Sequence, residues 1–241
     1  MSETLNKVQA EAAKIWKSGG LLDQQIKVKA RVLSIEEAIG NPEGDDFPLQ
    51  KGKERLMEAD FCGCKGQAFT DMFGDFSGTI GEISKMDLEN NFRRAIFISS
   101  LNATMRYLGK TDRTIHCKDK EPTICAGKLP QYIRDNYGDV KITQVGYQPK
   151  MVEALSSEFQ YRVLDLDPDN IGQKKFNAVI EGSETSQEAL EWADIILSTG
   201  TVIVNDTLED FLREKPVIFY GTTIAGAASI MGWKRYCDQS L

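Results

Sequence analysis

The sequence lacks the features that mark several large classes of protein. No apolar run approaches the roughly 18 residues of a membrane span, and the first twenty residues contain no apolar core of a secretory signal. The 29 lysines and arginines are outnumbered by 36 aspartates and glutamates, which gives a net charge of −7. Because no basic cluster is interleaved with aromatic residues, nucleic acid is a poor partner. We therefore expect a cytoplasmic protein that binds neither a membrane nor nucleic acid.

Two common catalytic patterns are also missing. The GxGxxG pattern of dinucleotide-binding folds does not occur, which disfavours NAD or FAD bound in the usual Rossmann manner. The GxSxG pattern of a serine nucleophile is absent, and the chain has a single histidine, His116, so a Ser–His–Asp triad is not expected. The sequence assigns no catalytic residue.

The N-terminal half predicts a mixture of helices and strands. Apolar residues at helical spacing predict an amphipathic helix over Glu3 to Trp16 and a long, mostly buried helix from Asp87 to Leu108 that ends at Gly109. Alternating apolar and charged residues predict a half-buried strand over Ile26 to Ile35. A loop over Gly40 to Lys53 and a short strand near Glu58 to Cys62 complete the pattern.

After Asp139 the pattern changes to short apolar runs that alternate with helical segments. Strand, helix and strand repeated at this spacing predict a parallel sheet with helical crossovers. The predicted strands are Lys141 to Tyr147, Tyr161 to Asp167, Asp194 to Ser198 and Pro216 to Tyr220; the predicted helices are Pro149 to Phe159, Ser186 to Trp192, Thr207 to Arg213 and one after Thr223.

Small and polar residues follow the predicted parallel strands, where such sheets bind ligands. A helix starting at Thr207, with Asp210 three residues later as in a capping box, would offer an N-terminus to an anion. The same residue types are common in ordinary strand-to-helix turns, which is the competing interpretation. The candidate ligand-binding residues are Gly146, Thr199, Gly200, Thr201, Asn205, Thr207, Gly221 and Thr222.

Four of the five cysteines lie in two short segments. Cys62 and Cys64 would point the same way in an extended strand, and Cys117 and Cys125 flank a second segment next to His116. Together these residues form a candidate site for a soft or borderline transition metal, either zinc or an iron–sulfur cluster. Buried thiols that only pack are the alternative. Cys237 is far from the others along the chain and is expected to be incidental.

The segments ADIILSTGTVIVNDTL, PVIFYGTT and VGYQPKMVEAL carry a family resemblance. Over about residues 139 to 235 the chain resembles the family known as "putative heavy-metal chelation". The resemblance implies an α/β protein with an enolase-N-terminal-like α+β domain over residues 1–126, followed by a Rossmann-like domain over residues 127–241. The family name implies metal binding and no established reaction.

Three functional hypotheses follow. The first is a metal-handling protein that binds its metal through the clustered cysteines and a small molecule or metal complex at the Rossmann-like crevice. The second is an enzyme that uses a cysteine-bound cluster or an activated thiolate on a small anionic metabolite. The third is a scaffold or subunit whose thiols are structural. A homodimer is expected from the frequency of self-association among proteins of this fold.

Overall fold

The N-terminal half folds as a four-stranded antiparallel sheet covered by helices. The structure is a computed structural model that describes residues 1–29 and 55–241. Helix α1 (Glu3–Ser18) precedes β1 (Gln25–Lys29), β2 (Arg55–Phe61), β3 (Cys64–Thr70) and β4 (Phe76–Thr79). The sheet order is β3-β2-β1-β4. Helix α1 begins because the Ser2 side chain accepts a hydrogen bond from the Leu5 amide, and it buries the apolar stripe that its spacing predicts.

A short helix α2 (Ile80–Ser84) leads to the long helix α3 (Asn91–Tyr107). Asn90 caps α3, and twelve consecutive residues from Arg94 to Met105 are buried. A helix that is buried on every side has no solvent-exposed face, so it must lie between two other layers. Helix α3 packs on β2 and β3 on one side and on a C-terminal helix on the other.

The C-terminal half is a doubly wound parallel sheet. Its strands are β5 (Ile142–Val145), β6 (Tyr161–Leu164), β7 (Lys174–Lys175), β8 (Ala178–Glu181), β9 (Ile195–Thr199), β10 (Val217–Tyr220) and β11 (Lys234–Tyr236), in the order β11-β10-β9-β5-β6-β8-β7. Only β7 runs antiparallel to its neighbour. Helices α4 (Glu121–Tyr137), α5 (Pro149–Ser156), α6 (Ser186–Trp192) and α7 (Ala225–Met231) flank the sheet.

Both faces of the parallel sheet are covered. Alternate residues of the strands point to opposite faces, so Ile195 and Leu197 pack against α4 and α5 while Ile196 joins the core that contains α3. That second core runs without interruption from Leu5 of α1 to Ala228 of α7. The mixed α/β fold predicted from the sequence is confirmed, and the domain boundary at residue 126 stays a prediction.

One sequence-based element prediction is wrong and one helix was missed. The helix over Thr207 to Arg213 is a single 3-10 turn, Leu208–Asp210, and Thr207 makes no capping hydrogen bond there. A carboxylate of this segment instead binds the first turn of α1: Glu209 accepts a hydrogen bond from the Thr4 amide at 2.6 Å. Helix α4 was not predicted, although Pro122 in its first turn and the spacing of Cys125, Leu129 and Ile133 are typical of a helix.

Other predictions fall partly on residues outside the described ranges. Strand β1 confirms the first part of the strand predicted over Ile26 to Ile35, while the rest of it and the loop over Gly40 to Lys53 lie outside the described residues. Within the described ranges, no helix has both the length and the apolar character needed to cross a membrane.

Candidate functional site

The parallel sheet reverses its winding between β5 and β9. From β5 the chain proceeds through α5 to β6 on one side, whereas β9 pairs with β5 on the other side. Helix α5 packs on one face of the sheet, and α6 and α7 lie on the opposite face. In such sheets a crevice opens outside the carboxyl ends of the two strands, because their connections diverge there.

A cleft of about 1060 Å³ lies at this position, and we call it the switch-point cleft. Its volume is at the upper end of the range usual for small-molecule sites. The predicted strand-end residues share this cleft, as the sheet topology required. They are Gly146, Thr199, Gly200, Thr201, Asn205, Thr207, Gly221 and Thr222.

The turn after β5 needs a glycine. Gly146 has a φ of 88°, and a Cβ placed on it would come within 2.8 Å of the Thr199 side chain. The carbonyl of Gly146 accepts hydrogen bonds from the Tyr220 hydroxyl and from the side-chain amide of Gln144, both at 2.8 Å. This turn is therefore a rigid part of the cleft.

The neighbouring strand end is held by a carboxylate. Asp165 accepts hydrogen bonds from the amides of Tyr147 at 2.7 Å and Asp167 at 2.8 Å. The side chain of Asn170 also donates to Asp165, at 3.3 Å. Asp165 thus orders the loops after both β5 and β6.

Hydrogen bonds hold the loop after β9 against α3. The Arg94 guanidinium donates to the carbonyls of Val204 and Leu88, at 2.5 and 2.9 Å. Asn205 accepts from the Asn91 side chain at 3.4 Å. The N-terminal half therefore positions one wall of the switch-point cleft.

The predicted four-cysteine cluster does not form. Cys62 is exposed and lies with Gly63 in a hairpin turn, where both residues have positive φ, so the extended geometry assumed for Cys62 and Cys64 is absent. Cys64 begins β3, whereas the His116 ring packs against Phe69, five residues further on. Five residues of strand span about 16 Å, which separates Cys64 from the segment of Cys117.

The structure instead brings Cys237 to Cys117 and Cys125. All three cysteines and His116 line the switch-point cleft. The backbone amides of Asp238 and Gln239 donate to the Cys125 sulfur, and the chain end pairs with Ile115 through two backbone hydrogen bonds of 2.9 and 3.3 Å. Cys237 lies 112 residues after Cys125, and no spacing pattern links them, so sequence reasoning missed it.

Burial controls the ionisation of these groups. Desolvation raises the pKa of the Cys117 thiol, and the nearby thiols of Cys237 and Cys125 raise it further. Desolvation also raises the pKa of Cys125. Burial lowers the pKa of His116 to about 4, against the opposing effects of the Cys117 backbone and Glu121. The thiols of Cys117 and Cys125 are therefore protonated and the imidazole of His116 is uncharged at neutral pH.

Two buried polar atoms in the cleft have no hydrogen-bond partner within the described part of the chain. They are Nδ1 of His116 and Oγ1 of Thr222. No group of three or more His, Cys, Asp or Glu side chains among residues 1–29 and 55–241 is arranged to hold a metal ion as it stands.

The cleft is acidic. Among the residues that the structure describes, the charged lining residues are five acids and one base, a formal sum of −4: Asp71, Asp165, Asp167, Glu191 and Asp210, with Arg213. Such a lining attracts cations and repels anions.

Comparisons with known proteins agree with the fold. Residues 131–230 match the model of the family described as "DUF364: Putative heavy-metal chelation", which confirms the resemblance seen in the sequence. A protein of unknown function from this family, from Pyrococcus horikoshii, is similar with 16% identity and a TM-score of 0.54 over 91% of this chain and 79% of that one.

A second solved structure from the same family, from Desulfitobacterium hafniense, has 12% identity and a TM-score of 0.49 over 73% of this chain and 72% of its own. A search of curated proteins found no match.

Proposed function

We propose that this chain, whose C-terminal half matches the heavy-metal chelation family, binds a soft heavy-metal ion as its cargo in the switch-point cleft. The observation that carries the proposal is the presence of three thiols, Cys117, Cys125 and Cys237, and the only histidine on the wall of one acidic cleft. The family description supports metal handling in general.

The chemistry of these donors fits a soft or borderline ion. Thiolate sulfur and neutral imidazole nitrogen are the ligands that such ions prefer, and the surrounding carboxylates favour a cation. Nδ1 of His116 has no partner within the described residues and belongs to an uncharged ring, so it is free to ligate. Magnesium and calcium, which prefer oxygen ligands, fit these thiols poorly.

The donors are not assembled in advance. Because no metal-holding group is arranged among the described residues, the thiols must move towards one another when the ion enters. They must also lose protons, since burial raises the pKa of both Cys117 and Cys125. Uptake should therefore release protons and strengthen as the pH rises.

The charge of the cleft disfavours the hypothesis of an enzyme that acts on a small anionic metabolite. A small anionic metabolite would meet five carboxylates and a single arginine, Arg213. Like charges at close range oppose binding. A metal cation would instead be attracted by these carboxylates.

The test is a metal titration of protein purified without oxygen. Cd²⁺ and Zn²⁺ are titrated against a competing chelator while the ultraviolet charge-transfer band of cadmium thiolates is followed. We expect one ion per chain, and a loss of affinity of about 100-fold or more in the Cys117→Ser, Cys237→Ser double variant, because loss of direct ligands should cost at least as much as the roughly 10–100-fold that loss of a partner behind a ligand costs.

The matched control is the Cys62→Ser, Cys64→Ser double variant, which removes the same number of thiols outside the cleft and should bind like the parent. Equal losses in both variants, or a parent chain that takes up no metal, would contradict the proposal. A visible absorption spectrum with bound iron would instead identify an iron–sulfur cluster.

A further inference from the structure

The hydroxyl group of Thr222 forms no hydrogen bond within the described part of the protein. The residue follows β10 at the switch-point cleft, it is 1% exposed, and its Oγ1 has no partner among the described residues. Its backbone is fixed, because the Asn102 side chain donates to the carbonyls of Thr222 at 3.2 Å and Thr223 at 3.0 Å.

The next residue gives the contrast. The hydroxyl of Thr223, which is 2% exposed, accepts a hydrogen bond from the Phe69 amide at 3.2 Å. Two adjacent threonines are thus buried to the same extent, and only Thr223 has a structural hydrogen bond for its hydroxyl. A buried hydroxyl without a partner destabilises a fold, because it has given up its hydrogen bonds to water. A ligand that hydrogen-bonds to Thr222 would remove that penalty.

The rest of the cleft defines the class of ligand. A volume of about 1060 Å³ exceeds what a single ion fills, and aromatic rings of Phe69, Tyr147, Phe211 and Tyr220 lie in the lining. The lining residues within 1–29 and 55–241 carry a formal charge of −4, with Arg213 as the single cation among them, and the sequence has no GxGxxG phosphate turn. A phosphate group would find a single basic partner there.

We infer that the switch-point cleft binds an uncharged or cationic organic molecule without phosphate, and that the Thr222 hydroxyl forms a hydrogen bond with it. Thr222 is not one of the thiol donors, although it lines the same cleft, so the inference does not depend on the metal proposal. It would give the cleft a second kind of ligand, recognised by hydrogen bonding and ring contacts.

The first experiment compares unfolding of the metal-free parent with Thr222→Val and Thr223→Val, two substitutions of the same shape. We expect Thr222→Val to be as stable as the parent or more stable, because it removes an unpaired hydroxyl. Thr223→Val should be less stable, because it leaves the Phe69 amide without its acceptor. Equal destabilisation by both substitutions would overturn the inference.

The second experiment uses adenosine and nicotinamide as uncharged probes and AMP as the anionic counterpart of adenosine, all without metal, followed by ligand-observed NMR. At least one uncharged probe should bind. If adenosine binds, AMP should bind at least tenfold more weakly. The Thr222→Val substitution should lower the affinity for the probe that binds about tenfold. Binding of AMP as tight as that of adenosine, no binding of either uncharged probe, or unchanged binding to Thr222→Val would each overturn it. Because no metal is present, these results are independent of the metal titration.

Discussion

At the residue scale, His116 lies in surroundings that disfavour its charged form. Its ring packs edge-on against Phe69 at 5.2 Å between centroids, and its backbone amide donates to the Gln67 side chain at 2.7 Å. Burial makes the imidazolium unfavourable and lowers the pKa from the ordinary 6.5 to about 4. The sequence places His116 beside Cys117 as a candidate ligand, but its burial could not be deduced from that position.

This shift predicts a loss of stability in mild acid. Between pH 6.5 and pH 4 the unfolded chain binds a proton at His116 and the folded chain does not, so the free energy of unfolding falls as the pH falls. We expect a decrease of about 2 kcal/mol from pH 7 to pH 5 from this residue. Urea unfolding at both pH values measures it.

The control is His116→Gln, which cannot be protonated. Its unfolding free energy should change less between the two pH values, by the amount assigned to the histidine. An identical pH dependence in the parent and in His116→Gln would show that the imidazole is not protected from protonation.

At the element scale, β3 and α3 make a close backbone contact that only a glycine permits. A Cβ on Gly66 would lie 2.2 Å from the Ala103 amide nitrogen and 2.4 Å from the Ser99 carbonyl oxygen. Both atoms belong to the helix backbone and cannot move aside. The antiparallel sheet can therefore approach α3 only with glycine at this position.

Gly66→Ala is accordingly expected to destabilise the fold by about 3 kcal/mol, at the upper end of the usual cost of overpacking. The matched control is Gly127→Ala in α4, where a Cβ meets nothing within 4 Å. There alanine should stabilise by about 0.5–1 kcal/mol, because it favours the helix. Chemical denaturation of both variants checks the prediction, and similar free energies for the two would contradict the close contact.

At the scale of the whole molecule, the two sheets share one core through α3. Leu101 of this helix lies 2.9 Å from where a Cβ of Gly226 would be, and Asn102 accepts from the Gly226 amide at 2.7 Å. The same core includes Ile196 and Phe219 of the parallel sheet. Removing α3 would expose this face of the Rossmann-like half to water.

We therefore expect residues 120–241, a fragment that keeps α4 whole, to lack fixed packing when expressed alone. The fragment should bind a hydrophobic dye and lose near-ultraviolet circular dichroism, because the α3 side of its core is uncovered. The full chain should unfold in one transition when followed by fluorescence and by circular dichroism. A fragment that unfolds cooperatively would show that the Rossmann-like half is an independent domain.

The sequence alone determined the local elements and the architecture of the C-terminal half. Helical and alternating spacing is a property of neighbouring residues, so α1, α3 and most parallel strands were predictable to within a few residues. The gathering of Gly146, Thr199 and Thr222 at one cleft was predictable too, because parallel strands end at one edge.

Only the tertiary structure decided which cysteines meet and which polar groups remain unpaired. A hairpin turn placed Cys62 and Cys64 away from the cleft, and the chain end brought Cys237 to Cys117. Thr222 and Thr223 look alike in the sequence, yet the Phe69 amide reaches only Thr223. The contacts of the chain end with Ile115 and of Phe69 with Thr223 join residues more than 100 positions apart, and their geometry depends on packing of the whole chain rather than on local spacing.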